Sequence, residues 1–170
     1  MRIELDSLGE RGGRFSHVYR AEELFLEDDI RAMEPAEVHG EIRRQGNEVE
    51  LRGDLDAKIQ VACGRCLAPV VLPVHTCFTE RFVPAVSWRS EEQHELREDE
   101  LNLAVFDGAA IEIDDVVREE ILLAMPSHIL CRDDCKGLCP ICGIDRNVSS
   151  CQCGTADRDS HWHALENLRF

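Results

Sequence analysis

Apolar and charged residues alternate with a period of two through "EVELRGDLDAKIQVAC", placing Val49, Leu51, Leu55, Ala57, Ile59, Val61 and Cys63 on one face. Such a pattern predicts a long strand with one buried and one wet face. Gly53 falls on the apolar face, where it predicts a bulge or bend. Upstream, "VHGEIRRQ" and the pair Gly46-Asn47 complete a predicted hairpin. Downstream, "CGRCLAP" interrupts, and Val70–Val86 resumes as a third long strand, with Pro73 expected to place it at an edge or break it in two. Three such strands joined by tight turns predict an antiparallel meander. Near the start, "RIEL" reads as a short strand followed by a turn at Gly9, Gly12 and Gly13, and Arg20–Met33 as a short helix or an edge segment.

The period changes after residue 100. "LNLAVFDGAAIEI" predicts two short strands around a type I′ turn at Asp107-Gly108. In "IDDVVREEILLAMP", Ile113, Val116, Val117, Ile121 and Ala124 form a helical stripe, with Asp114 or Asp115 as cap and Pro126 as stop. "DSHWHALENLRF" predicts a short terminal helix with Ser160 as cap and Trp162, Leu165 and Leu168 on its apolar side. The expected architecture is α+β: a curved antiparallel sheet or partial barrel, one packed helix, and a C-terminal cysteine-rich zinc knuckle. Residues 1–126 would form the main domain, with an acidic loop at about 87–100, and residues 127–170 the zinc-binding segment.

Composition narrows the function. The 170 residues carry a net charge of −15, and positions 87–120 hold twelve acids against three arginines. That balance disfavours adsorption to phosphate backbones. Arg11, Arg14, Arg20, Arg43 and Arg44 are the candidate RNA contacts. No run of about 18 apolar residues predicts a membrane span, and the acidic start is unlike a secretory signal. A cytoplasmic location is expected, where nine cysteines point to metal rather than disulfides.

From Cys131 the spacing is C-x3-C-x3-C-x2-C-x8-C-x-C. Cys139-Pro-Ile-Cys142-Gly has the form of a metal knuckle, and Cys151-Gln-Cys153 supplies a second pair. Four thiolates suit a closed tetrahedral zinc site; an iron–sulfur centre is the rival, although its usual spacings are absent. Cys63, Cys66, Cys131 and Cys135 are a candidate second set, against the alternative that Cys63 merely packs in the core. Cys77 reads as core. A redox role for Cys63-Cys66 would want a helix N-terminus, whereas the motif ends a strand. The histidines are scattered, with no HExxH, G-x-S-x-G or phosphate-binding loop, so no catalytic set emerges. His161 and His163 flank Trp162 as solvated residues.

Two landmarks together resemble the YceD-like family, the large ribosomal RNA subunit accumulation proteins of bacteria and plastids. The first is Cys63, Arg65, Cys66, Leu67 and Pro69. The second joins Glu119, Glu120, Ile121, Leu122, Leu123 and Pro126 to "CRDDCKGLCPICG…CQC". The resemblance implies a non-enzymatic factor in large-subunit rRNA accumulation, processing or ribosome assembly, with rRNA or a ribosomal protein as partner. The alternatives are a metal-dependent RNA-processing enzyme, which needs an open metal position, or a thiol redox protein using Cys63 and Cys66. Where the family often reads N-L-N after the knuckle, this chain reads "IDRNVSS", so no RNA role passes to Arg146 or Asn147.

Overall fold

The structure, a computed structural model, describes residues 1–9, 12–27, 29–88 and 103–154. Most of the expected acidic loop and the expected terminal helix lie outside the described residues. The chain divides into two units: Met1–Val61 with Val71–Ser127, and Ala62–Val70 with the chain from His128 onward.

The elements are β1 (Arg2–Glu4), β2 (Gly13–Tyr19), β3 (Arg31–Ala32), β4 (Ala36–Gln45), β5 (Glu48–Ala62), β6 (Pro69–Pro84), α1 (Ala85–Trp88), β7 (Leu103–Phe106), β8 (Ala110–Glu112) and α2 (Ile113–Ala124). One sheet runs β2-β4-β5-β6-β7, with β3 pairing beside β4 along β5; β1 and β8 pair separately. The meander is present. The sheet is not purely antiparallel, however, because β7 runs parallel to the end of β6, and its strand order is open rather than closed.

The period-two reading of β5 holds residue by residue. Val49, Leu51, Leu55, Ala57, Ile59 and Val61 are buried, and Arg52, Asp54 and Asp56 between them are exposed. Gln45 pairs with Glu48 across the turn, and only Gly46 of the two turn residues takes positive φ, at 64°, as a type II′ turn requires. Gly53 is no bulge, since β4 and β5 pair without a register break from Glu37↔Asp56 to Gln45↔Glu48. It is glycine because the Phe78 ring lies over it. A Cβ there would stand 2.6 Å from Phe78 Cζ and 2.8 Å from the His39 carbonyl oxygen. Its cross-strand partner Gly40 is covered in the same way by Phe15, at 2.6 Å from a Cβ.

Other expectations change. β2 was not foreseen, although Phe15 and Tyr19 alternate inward while Arg14, Ser16 and Val18 face out. Of the two readings of Arg20–Met33, the edge segment is the one seen: its described residues form turns and the edge pair of β3, not a helix. Pro73 does not break β6, and it lies at an edge as expected of one alternative: β7 pairs only at Arg81–Pro84 and leaves that part uncovered, where a missing N–H costs no ladder bond on that side. β7 and β8 are strands, but they join different sheets instead of forming a hairpin. Between them the Asp107 carboxylate accepts the N–H groups of Ala109 and Ala110, and Gly108 takes φ 91°. Cys77 is exposed rather than core, because it faces out from β6 and its thiol donates to Asp54 at 3.1 Å.

Helix α2 buries Ile113, Val116, Val117 and Ile121, whereas Ala124 is exposed. Its N-cap is Glu112, not an aspartate. Asp114 and Asp115 occupy the first turn, where their charge favours the helix dipole, and Asp114 accepts the Tyr19 hydroxyl at 2.7 Å. The helix ends at Met125, directly before Pro126.

Glu80 shares the inward side of β6 with Phe78 and Phe82, at a cavity of 320 Å³ that Glu119 of α2 also lines. Burial, with Glu119 and Glu120 nearby, pushes its pKa up to about 7. An acid whose folded pKa is raised contributes most below its ordinary value of 4.5, and that contribution fades as pH rises through 7. Glu80→Gln is therefore expected to match wild type near pH 4.5 and to exceed it at pH 8. The gain would be about 1 kcal/mol once solvent screening is allowed for. Denaturant titrations of both proteins at the two pH values check this, and an equal difference at both would contradict it.

Candidate metal centre

Among the described residues, the second unit has little buried apolar material. Its buried cluster is Cys63, Cys66 and Cys135, with Ala68, Val70, Leu130 and Leu138 packed against them. A core made largely of thiols cannot stand on hydrophobic burial alone.

Eight of the nine cysteines form two sets. Cys63, Cys66, Cys131 and Cys135 make one, and Cys139, Cys142, Cys151 and Cys153 the other; within each set the sulfurs all lie within 4.8 Å of one another. In the first set Cys63 Sγ is 3.8 Å from Cys135 Sγ, and Cys66 Sγ is 3.5 Å from Cys131 Sγ. A disulfide needs about 2.05 Å, so these are free thiols. Four sulfurs at about 2.3 Å around a tetrahedral ion would stand about 3.8 Å apart. The donor chemistry and the spacing both fit a single ion per set. The structure brings together the same two groups of four that the spacing suggests, and Cys63, although buried, lies with Cys66, Cys131 and Cys135.

Each set is built on the same local device. In the knuckle of the second set, Gly143 takes φ 72° and returns its N–H to the Cys139 carbonyl at 2.9 Å. In the first, Leu67 takes φ 62° and returns its N–H to the Cys63 carbonyl at 3.0 Å. Leu67 is the one non-glycine residue with positive φ among the described residues. Leucine at that position leaves the turn without the glycine that marks the Cys139 knuckle. Its left-handed backbone costs about 1 kcal/mol. Leu67→Gly is expected to raise the thermal stability of the second unit by about that amount, since the Leu67 side chain is 64% exposed and little packing is lost. A lower melting temperature would mean that the leucine packs against a partner.

These turns aim N–H groups at sulfur. Backbone donors from Cys66 and Arg65 bring the Cys63 thiol down to about 6, and those from Cys142 and Ile141 do the same for Cys139. Asn147 lowers the Cys135 thiol. The opposite members rise: Cys131 to about 12 beside Cys66, and Cys153 to about 12 beside Cys142. Crowded sulfurs cannot all ionise unless a cation joins them, so metal uptake by either set releases protons.

Further bonds fix the first set. Cys131 N–H donates to Cys63 Sγ at 3.4 Å, Gly64 N–H to the Ile129 carbonyl at 2.8 Å, and Leu138 N–H to the Arg65 carbonyl at 3.1 Å. Gly137 is required at that approach. It takes φ 70°, and a Cβ would meet the Arg65 carbonyl at 3.0 Å.

The candidate arginines do not converge. Arg20 pairs with Glu23, Arg43 with Glu41, and Arg44 donates to the Gly46 carbonyl; Arg14 is exposed opposite Glu41, and Arg11 lies outside the described residues. His161 and His163 also lie outside them. Among the described residues, no helix is long and apolar enough to cross a membrane.

Among the described residues, an open mixed sheet with one long helix, α2, and two four-thiol sets able to hold a metal ion define the class. A family model described as "Large ribosomal RNA subunit accumulation protein YceD" matches residues 51–169, and the chain belongs to that family. An uncharacterised protein of Mycobacterium tuberculosis is 33% identical over 96 residues, 56% of this chain and 44% of that protein. The chain thus spans less than half the length of that relative. YlbN of Bacillus subtilis is 26% identical over 167 residues, covering 97% of this chain and 92% of that one. A chloroplastic YCED homologue of Arabidopsis thaliana, named a large ribosomal RNA subunit accumulation protein, is 34% identical over 59 residues, 35% of this chain and 18% of that one. No solved structure matches.

Proposed function

We propose that the protein is a non-enzymatic cytoplasmic factor in the accumulation of large-subunit ribosomal RNA, acting by binding a ribosomal protein or the rRNA, with zinc in both thiol sets. The family match carries the reading: it spans residues 51–169, and so takes in most of β5, β6, α2 and all eight clustered cysteines. Zinc is favoured because four thiolates around one small tetrahedral site suit it, and they leave no position for water. That closed set argues for a staple rather than a hydrolase. The turn between two strands that carries Cys63 and Cys66 gives neither the helix N-terminus a redox thiol uses. The net charge of −15 favours a basic ribosomal protein over bare RNA as the direct partner.

Capture of partners from a lysate with and without nuclease tests the reading. Ribosomal proteins retained after nuclease are expected. Complete loss on nuclease would overturn protein docking and favour RNA contact. Depletion of the chain is expected to lower large-subunit rRNA relative to small-subunit rRNA, and an unchanged ratio would contradict the role itself.

A further inference from the structure

Two consecutive side chains serve different thiol sets. Arg146 donates through its guanidinium to Cys139 Sγ at 3.7 Å, and Asn147 donates through Nδ2 to Cys135 Sγ at 3.4 Å. The two thiols belong to different sets.

The position of this short segment is dictated by the second set's knuckle. Cys139 N–H donates to the Ile144 carbonyl at 2.8 Å, Leu138 bridges to Asp145, and Arg146 N–H donates to the Gly137 carbonyl at 2.9 Å. Asn147 is then held from three sides. Its N–H donates to the Asp145 carboxylate at 2.8 Å, and its Oδ1 accepts from Lys136 N–H and from the Arg132 guanidinium, each at 2.8 Å. With two donors on the oxygen, the amide cannot flip without losing both, so the NH₂ group must face sulfur.

We infer that Arg146 and Asn147 couple the two metal centres, so that filling one set strengthens the other. The inference rests on the reading that both sets bind metal. An ion held by Cys139, Cys142, Cys151 and Cys153 orders the knuckle, the knuckle places residues 144–147, and Asn147 then supplies a donor to the Cys135 thiolate. A donor to a coordinated thiolate spreads its charge and holds its orientation. By reciprocity, an ion in the first set fixes Cys135, and through Asn147 steadies the segment that brings Arg146 to Cys139. Asn147 is a positioning residue, and the role needs its N–H rather than its bulk.

Titration of the reduced, metal-free chain with Co²⁺ tests this, followed by the visible and thiolate charge-transfer bands. Alkylation of unprotected cysteines identifies which set is empty. Wild type is expected to bind two ions in tetrahedral thiolate sites, cooperatively, with little half-filled protein. Asn147→Ala is expected to fill the Cys139 set first and to weaken the Cys63 set by about 10- to 100-fold. Asn147→Asp, which keeps the shape but turns an oxygen toward sulfur, is expected to be weaker than alanine; if it matched wild type, the side chain would be filling space only. Two ions binding independently to wild type would overturn the coupling and leave both metal sites standing. Fewer than two thiolate-bound ions would overturn the metal reading beneath it. Should Asn147→Ala fail to fold, the wild-type titration alone still decides between coupled and independent sites.

Discussion

A chain carrying Cys139→Ser is expected to lose the ion of the Cys139 set and the folded state around residues 135–149, with the Cys63 set weakened, while the sheet unit keeps its fold. Cys139 is 2% exposed, its N–H and carbonyl both close the knuckle, and its sulfur is the one that Arg146 reaches. Among the described residues, the second unit's buried cluster contains three cysteines and only small or partly buried apolar neighbours. Metal binding of this kind is worth about 10–16 kcal/mol of apparent free energy, far more than so small a core could supply. Removing the metal from wild type with a strong chelator under reducing conditions should therefore have the same outcome. Amide hydrogen exchange resolves it: protection around residues 135–149 should vanish, while protection along β4 and β5 remains. Full metal content and unchanged protection in the Cys139→Ser chain would show that the ligands are assigned wrongly.

Gly40→Val is expected to destabilise the sheet unit by about 3 kcal/mol. Gly40 and Gly53 face each other across β4 and β5, and the rings of Phe15 and Phe78 occupy the space where their side chains would be. At Gly40 a Cβ would also press on the Arg52 carbonyl oxygen, a backbone atom in the paired region that has no room to retreat. Shortening the ring with Phe15→Leu in the same chain should recover only part of the loss, because the backbone contact persists. Equilibrium denaturation of the single and double variants measures both effects, and complete recovery would place the whole strain on the ring.

Much of this was legible in the sequence where one period ruled a long stretch. β5 alternates strictly because one face is buried and the other solvated, and α2 repeats its apolar residues at helical spacing for the same reason. The thiol sets were legible because ligand spacing in a short loop is a local property. What escaped was set by distant contacts. β7 and β8 look like a hairpin around Asp107-Gly108, yet their partners are β6 and β1. Gly53 looks like a defect until Phe78, 25 positions away, is known to cover it. The turn that closes the Cys63 set carries Leu67 where the Cys139 knuckle has Gly143, and its left-handed backbone, held by the hydrogen bonds around it, gives no local signal. Arg146 and Asn147 gave no signal, because their roles exist only after the loop has folded back.

Elemental analysis of protein purified under reducing conditions tests the two-centre reading most directly. Two zinc ions per chain are expected, with eight of the nine thiols protected from alkylation and Cys77 alone reactive. One zinc with Cys63, Cys66, Cys131 and Cys135 free, or iron in place of zinc, would contradict it.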